Sequence, residues 1–149
     1  MEDNKLDMRE YRFKGIRKDN NEWISGSLIS FDDGGNNKSR IIAPSKSCVV
    51  VDHKKGFALL ADAYDIIWET ASQYTEKNDI NGKRIYEHDI IVDKTGSFAI
   101  IRWVNDEKMF AADFGPSFEL QPLGFSCKVT GNIFVIQNGE LHIQTPWKK

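Results

Sequence analysis

The chain has 149 residues, 20 Lys+Arg against 22 Asp+Glu, and an apolar share of 40%. That length suits one domain with a buried core and no staples, and counting the 11 glycines lifts the apolar share to roughly 47%, an ordinary globular value. Chain-wide disorder is excluded, and so is a membrane helix, because runs such as residues 48–51 fall far short of about 18 apolar positions.

The charge is balanced locally as well as globally. Residues 1–75 carry 11 basic and 12 acidic side chains, and residues 76–149 carry 9 and 10. A duplex-DNA binder normally shows a basic stripe, because phosphate neutralisation supplies much of its affinity; no such stripe exists in the linear sequence. The opening MEDNKLDMREYR is charged and leads into no apolar stretch, so no secretory signal is expected. Two cysteines, Cys48 and Cys127, cannot make a multi-disulfide framework, and a cytosolic compartment is expected.

In chain order the pattern is mostly period two. Tyr11, Phe13 and Gly15 alternate with Arg12, Lys14 and Ile16, which predicts a strand with one aromatic and one mostly basic face. Asp19-Asn20-Asn21 supplies a turn, and Trp23, Ile24, Leu28 and Ile29 continue as the second strand of a hairpin. Residues 32–39 form a polar loop. Ile41-Ile42 and residues 48–51 read as β-branched strands separated by Pro44, which is barred from a central strand. Residues 53–62 are ambiguous, with helix-forming Ala and Leu in too short a run, and residues 64–70 return to strand character.

Asn81-Gly82 predicts a type I′ turn. Strands are then expected over 89–92, 98–104 and 109–114, joined by the short turns 93–96 and 105–108. Residues 115–128, with Pro116, Pro122 and Gly124, read as extended loop. Strands over 131–136 and 141–144 close the chain as a hairpin around Asn138-Gly139. The expected fold is mainly β, a short-stranded meander with an SH3-like barrel part and little helix.

Motifs for chemistry are few. Asp93-Lys94-Thr95-Gly96 has the look of a phosphorylated-aspartate loop, but 149 β-rich residues leave no room for the α/β phosphate-binding machinery, so the segment reads as a hairpin turn. Setting Gly82 at the sixth position of a calcium loop places Asp79 and Asn81 correctly but puts Lys77, Arg84 and His88 at the first, eighth and twelfth, which is wrong for a cage. The oxygen-rich loop 32–37 matches no established cation spacing. His53, His88, His142, Cys48 and Cys127 are scattered singly, without the close pairs of a zinc site; Cys48 beside three valines reads as a buried small hydrophobe. No metal, cofactor or catalytic residue is therefore expected.

One surface invites a functional thought. Arg12, Lys14 and Lys18 flank the aromatics of the first strand, and Arg102 and Trp103 repeat the basic–aromatic theme, a combination that stacks bases and holds phosphates in single-strand binders. The simpler reading places Tyr11 and Phe13 in the core with Arg12, Lys14 and Lys18 in water.

Longer motifs add a lineage. Arg9-Glu10, Phe13-Lys14-Gly15, Arg17 and the run DNNEWISGSL from Asp19 to Leu28 resemble the amino-terminal signature of the YopX family of phage and prophage proteins. Residues 73–91, QYTEKNDINGKRIYEHDII, resemble that family's central motif Q-Y-T-G-L-x-D-x-N-G-K-x-I-Y-E-G-D-I-V; Gln73, Tyr74, Thr75, Asp79, Asn81, Gly82, Lys83, Ile85, Tyr86, Glu87, Asp89 and Ile90 fit it. Residues 129–134 resemble its closing V-I-G-N-I-Y. Glu76 stands where the family usually has glycine, so any positive-φ turn there is expected to be remade; His88 replaces another glycine just before the Asp89 strand, and VIQNGEL after Gly131-Asn132-Ile133-Phe134 departs from the family's usual E-N-P-E-L-L tail.

The resemblance implies a phage or prophage origin, a complex mainly-β fold with an SH3-like part and a possible homo-oligomer. It brings no catalytic residues. Residues 1–7 are expected to be a disordered extension and 8–149 a single domain, with a possible N-terminal β part over 8–72 and an SH3-like part over 73–149. The motif side chains Gln73, Tyr74, Thr75, Asp79, Asn81, Gly82, Ile85, Tyr86 and Asp89 read as scaffold. The functional expectation is a non-enzymatic protein-binding or assembly module with an unknown host or phage protein partner. Its competitors are a single-stranded nucleic-acid binder using Arg12, Lys14, Lys18, Arg102 and Trp103, and a small hydrolase with a site built from scattered groups.

Overall fold

The structure, a computed structural model, describes residues 12–44, 49–52, 54, 57–60 and 62–147. Expectations for residues 1–7, Tyr11, Cys48 and His53 lie outside them. The fold is mainly β, with 56% strand and 2% helix, and no described helix is long and apolar enough to cross a membrane. The chain forms two compact units. The first is described over Tyr74–Ile133 and residues 144–147; the second is Arg12–Gln73 with Phe134–Ile143.

In the second unit, β1 (Phe13–Ile16) pairs antiparallel with β2 (Trp23–Asp32), and β2 with β3 (Lys38–Ala43), which in turn pairs with β6 (Tyr64–Ile66). A separate hairpin joins β4 (Val49–Asp52) to β5 (Phe57–Leu60), so residues 57–60 of the ambiguous segment are strand: cross-strand pairing overrides the helix propensity of Ala58, Leu59 and Leu60. Residues 64–70 are not one strand, because a 3₁₀ turn, η1 (Trp68–Thr70), follows β6. Thr70 is fully buried there, its hydroxyl donating to Ile67 O at 2.7 Å and accepting from Ile16 N at 2.9 Å.

The aromatic-in, basic-out alternation of β1 is lost at its end, where Gly15 and Ile16 are both buried. Ile16, on the expected basic face, is buried, while Phe13 and Lys14 are half-buried. Lys14 lays its ammonium 4.8 Å from the Trp23 ring centroid, so its stem covers apolar surface. Of the three cations Lys18 is exposed, while Arg12 and Lys14 are half-buried.

The second unit also holds the chain's terminal hairpin, β14 (Phe134–Gln137) and β15 (Glu140–Ile143). Its Asn138 and Gly139 have φ of 53° and 76°, the two positive values a type I′ turn needs. The strand expected over 131–136 is two strands, because β13 (Cys127–Asn132) ends before β14 begins and Ile133 N donates to His88 O at 3.0 Å in between.

β7 (Ser72–Asn78) begins beside β1, where Gln73 faces Phe13, and continues into the first unit, where it pairs with β8 (Arg84–Tyr86). The expected meander over 89–114 forms the middle of that unit's sheet, and strands also form at 121–122 and 127–128, within the stretch expected as loop. β9 (Asp89–Asp93), β10 (Phe98–Val104) and β11 (Met109–Asp113) pair in succession, β12 (Gln121–Pro122) joins β11, and β13 joins β9, giving the order β12-β11-β10-β9-β13. Pro122 is tolerated because β12 is an edge. Ile91, Ala99, Ile101, Ala112, Cys127 and Val129 share one face through this register and form the core with Ile85 and Leu123. Each large aliphatic buried there contributes about 1.5–3 kcal/mol.

Glu76 and His88 retain positive φ, 69° and 73°, so the turns are not remade where glycine is replaced. An L-residue in this region costs about 1–2 kcal/mol, and glycine returns part of that as chain entropy, about 0.5–1 kcal/mol. Exposed Glu76 is the cleaner site. Glu76→Gly is expected to stabilise the chain by about 0.5–1 kcal/mol in urea melts; an unchanged or lower midpoint would show that the side chain compensates for its backbone.

Candidate functional site

The central motif folds into one hydrogen-bonded turn in the first unit. Asp79 N donates to Lys83 O at 2.8 Å and Gly82 N to Asp79 O at 3.0 Å. Only Gly82 has positive φ, 80°, so the turn is not the type I′ that Asn81-Gly82 suggests. The difference lies in Asp79, a buried side chain. Its Oδ1 accepts from Asn81 N and Lys83 N, both at 2.9 Å, while Oδ2 accepts from Val129 N at 2.9 Å, fifty residues away. Burial pushes the Asp79 carboxyl up, but the Val129, Lys83 and Asn81 amides and the Lys83 charge outweigh it, leaving the group below the usual carboxylate range.

Asp89 is used in the same way. It is buried, with Oδ2 accepting from Tyr86 N at 2.8 Å and Oδ1 from Asn132 Nδ2 at 3.0 Å. Thr75 Oγ1 donates to Ile85 O at 2.8 Å, Tyr74 Oη donates to Asn78 Oδ1 at 2.5 Å, and the Tyr74 and Tyr86 rings tilt against each other at 5.7 Å. Both carboxylates thus accept amide protons and hold backbone, an arrangement suited to fixing a turn and poorly suited to abstracting a proton.

The basic–aromatic residues divide between the units. In the second, Arg12 Nη1 donates to Ser25 Oγ at 3.3 Å, and Lys14 sits on Trp23. In the same unit Arg17 and Arg40 each lie 3.9 Å from a ring centroid, of Tyr64 and Trp68 respectively, so each of these rings already carries a cation. In the first unit Arg102 Nε donates to Asp113 Oδ2 at 2.6 Å, and Trp103 packs edge-on against Phe110 at 4.9 Å. As consecutive residues of β10, Arg102 and Trp103 point to opposite faces of the sheet. Trp103 lies on the face of Ile101, whose partner is Ala112.

Sequence reasoning missed two concave features of the first unit. Two clefts share Asp93 and Phe114. The larger, about 470 Å³, is walled by Phe98, Phe118, Pro146 and Trp147; the smaller, about 350 Å³, by Lys94, Gln121 and Phe125. Phe118 is 67% exposed and Phe98 46%. Phe114 and Phe125, rings 5.9 Å apart, brace the walls against the core. Trp147 rests on Gly115, whose φ of 122° and missing Cβ leave the indole 3.6 Å from where that carbon would stand. A signal was available: five of the nine phenylalanines fall between 98 and 125, partly in a stretch read as loop.

Between the clefts, Asp93 closes its own turn. Oδ1 accepts from Thr95 N, Thr95 Oγ1 and Ser97 N at 2.9, 2.6 and 3.0 Å, and Gly96, at φ 86°, completes the reversal. The Thr95 hydroxyl first, then the backbone amides, hold the Asp93 carboxyl below the usual range. The rejected nucleophile is therefore a turn cap. Cys127 is buried in the core, and burial together with the Asp79 charge pushes its thiol up, away from thiolate reactivity. His142 is exposed, 4.0 Å from Glu140. In the 32–37 loop Asp33 accepts from Gly35 N and Asn37 N, so its carboxylate closes the loop on itself.

Comparison with known proteins agrees with the motif. The family model described as YopX protein matches residues 12–141. Searches of curated proteins and of solved structures find no significant match. With the match covering most of the chain, the protein belongs to the YopX family.

Proposed function

We propose that this is a phage- or prophage-encoded β protein acting in the bacterial cytoplasm as a non-enzymatic protein-binding module. The observation that carries the reading is the pair of aromatic-walled clefts of the first unit, where Phe98 and Phe118 stand exposed above a braced floor. Exposed aromatics of this kind are the usual anchors of protein interfaces. The buried motif carboxylates Asp79 and Asp89, engaged with backbone and amide donors, support a scaffold role for the family's central segment.

The test is affinity purification of the tagged chain from bacterial cells beside a Phe98→Ser/Phe118→Ser variant, with light scattering on each eluate. A stoichiometric protein partner is expected with the unaltered chain and not with the variant. Titration with the oligonucleotide dT20 at low salt addresses the competing role of Arg12, Lys14, Lys18, Arg102 and Trp103. Tight, salt-sensitive binding there, with no protein partner recovered, would replace this reading by the nucleic-acid one.

A further inference from the structure

The chemistry of the clefts narrows their occupant. Asp93 lines both, and its bonds to Thr95 and Ser97 all fall on Oδ1; none uses Oδ2. A carboxylate held below its usual range stays ionised at neutral pH. Among the described residues of the larger cleft's wall, Asp93 is the one that carries a charge, set among Phe98, Phe114, Phe118 and Trp147. Aromatic faces are electronegative and attract cations, and a carboxylate beside them adds to that attraction. The same surroundings repel phosphates and acidic side chains. The smaller cleft differs in having Lys94 on its wall beside Phe114 and Phe125, which suits an apolar side chain and opposes a second cation. A chain passing from one cleft to the other crosses Asp93 and Phe114, which both share, and an extended strand turns every second side chain to the same side.

We propose that the paired clefts bind an extended segment of a partner protein that carries one arginine or lysine, seated in the larger cleft on Asp93, with an apolar residue two positions away in the smaller one. The inference rests on the binding-module reading and specifies its partner's chemistry. Arginine fits best, since its planar guanidinium both stacks on rings and meets a carboxylate.

The experiment pans a random dodecapeptide display library on the intact chain and, in parallel, on Phe118→Ala, whose exposed side chain can be removed without unfolding. Retained melting midpoint and circular dichroism confirm the fold of the variant. Peptides enriched on the intact chain are expected to hold Arg or Lys two positions from Leu, Pro or an aromatic, and to be poor in Asp and Glu. A representative synthetic peptide should bind at least about tenfold more weakly to Phe118→Ala and about threefold more weakly to Asp93→Asn, which keeps the Oδ1 cap and removes the charge. Replacing its basic residue by Glu should abolish binding.

Enrichment of acidic peptides, or affinity unmoved by both substitutions, would overturn the proposal. Peptides bound equally by the intact chain and Phe118→Ala would leave a binding module with its site elsewhere. Failure of every peptide beside tight dT20 binding would remove the module reading itself.

Discussion

Asp79→Ala is expected to destabilise the chain by about 3–4 kcal/mol, because three amides lose their only charged acceptor at once. The loss concentrates at Val129 N, which is buried and cannot turn to water. Asn81 N and Lys83 N lie on an exposed turn and recover part of their cost by hydration. Asp79→Asn rescues little. Amides approach both carboxylate oxygens, so either orientation of the side-chain amide sets an NH₂ against a backbone N–H, and a loss of about 2 kcal/mol remains. Urea melts measure the total, and hydrogen exchange at Val129, Asn81 and Lys83 measures its placement. Unchanged protection at Val129 would sink the account.

The same carboxylate sets an acid dependence whose sign follows from its depressed pKa. The folded value lies below the ordinary 3.8, so the stabilisation is complete above that pH. It drains away as pH falls from about 4 through the folded pKa, because the unfolded chain takes up the proton first. The stability gap between the unaltered chain and Asp79→Ala should therefore narrow in acid. A gap that widened below pH 4 would contradict the assignment.

The largest effect in the second unit is expected at Gly26. A Cβ there would stand 2.1 Å from Ala43 O, 2.8 Å from Ala43 C and 2.9 Å from Pro44 Cα, all backbone atoms that no rotamer change can clear. Gly26→Ala should cost more than about 3 kcal/mol and weaken protection across the β2–β3 ladder. Gly15→Ala is the informative comparison. Its Cβ would meet Ile66 Cδ1 at 2.4 Å, the tip of a flexible side chain, although Cβ and Cγ2 of Ile66 at 3.2 Å limit the escape. An expected loss of about 1–3 kcal/mol follows, smaller than at Gly26 despite a similar first distance. Equal losses would mean that the β3 backbone yields as readily as the isoleucine.

Much of the meander was legible in the residues. Alternation and short polar turns placed β9, β10 and β11 within a residue of their ends, because each is a local hairpin partner of the next. Asn138-Gly139 was legible for the same reason, since both residues tolerate the positive φ that its turn requires. Asn81-Gly82 was misread because the deciding group is not in the dipeptide. Asp79 ties the turn to Val129, and a bond spanning fifty positions leaves no local trace. Residues 57–60 and 68–70 failed for related reasons, one through cross-strand pairing with β4, the other through the Thr70 hydroxyl and its bond to Ile16.

The balance of 20 cations against 22 anions, split evenly along the chain, together with period-two patterning and the central motif, determined a mainly-β protein of the YopX family without a basic stripe. Those properties are sums or local repeats, and they need no folding to be read. The tertiary structure alone decided where charge and aromatic surface stand. Within each unit it laid cations on Trp23, Tyr64 and Trp68, turned Arg102 toward Asp113, and gathered Phe98, Phe114, Phe118 and Trp147 around Asp93. The physical reason is range: alternation and turn preference act between neighbours, whereas a cleft is made by segments that only packing brings together.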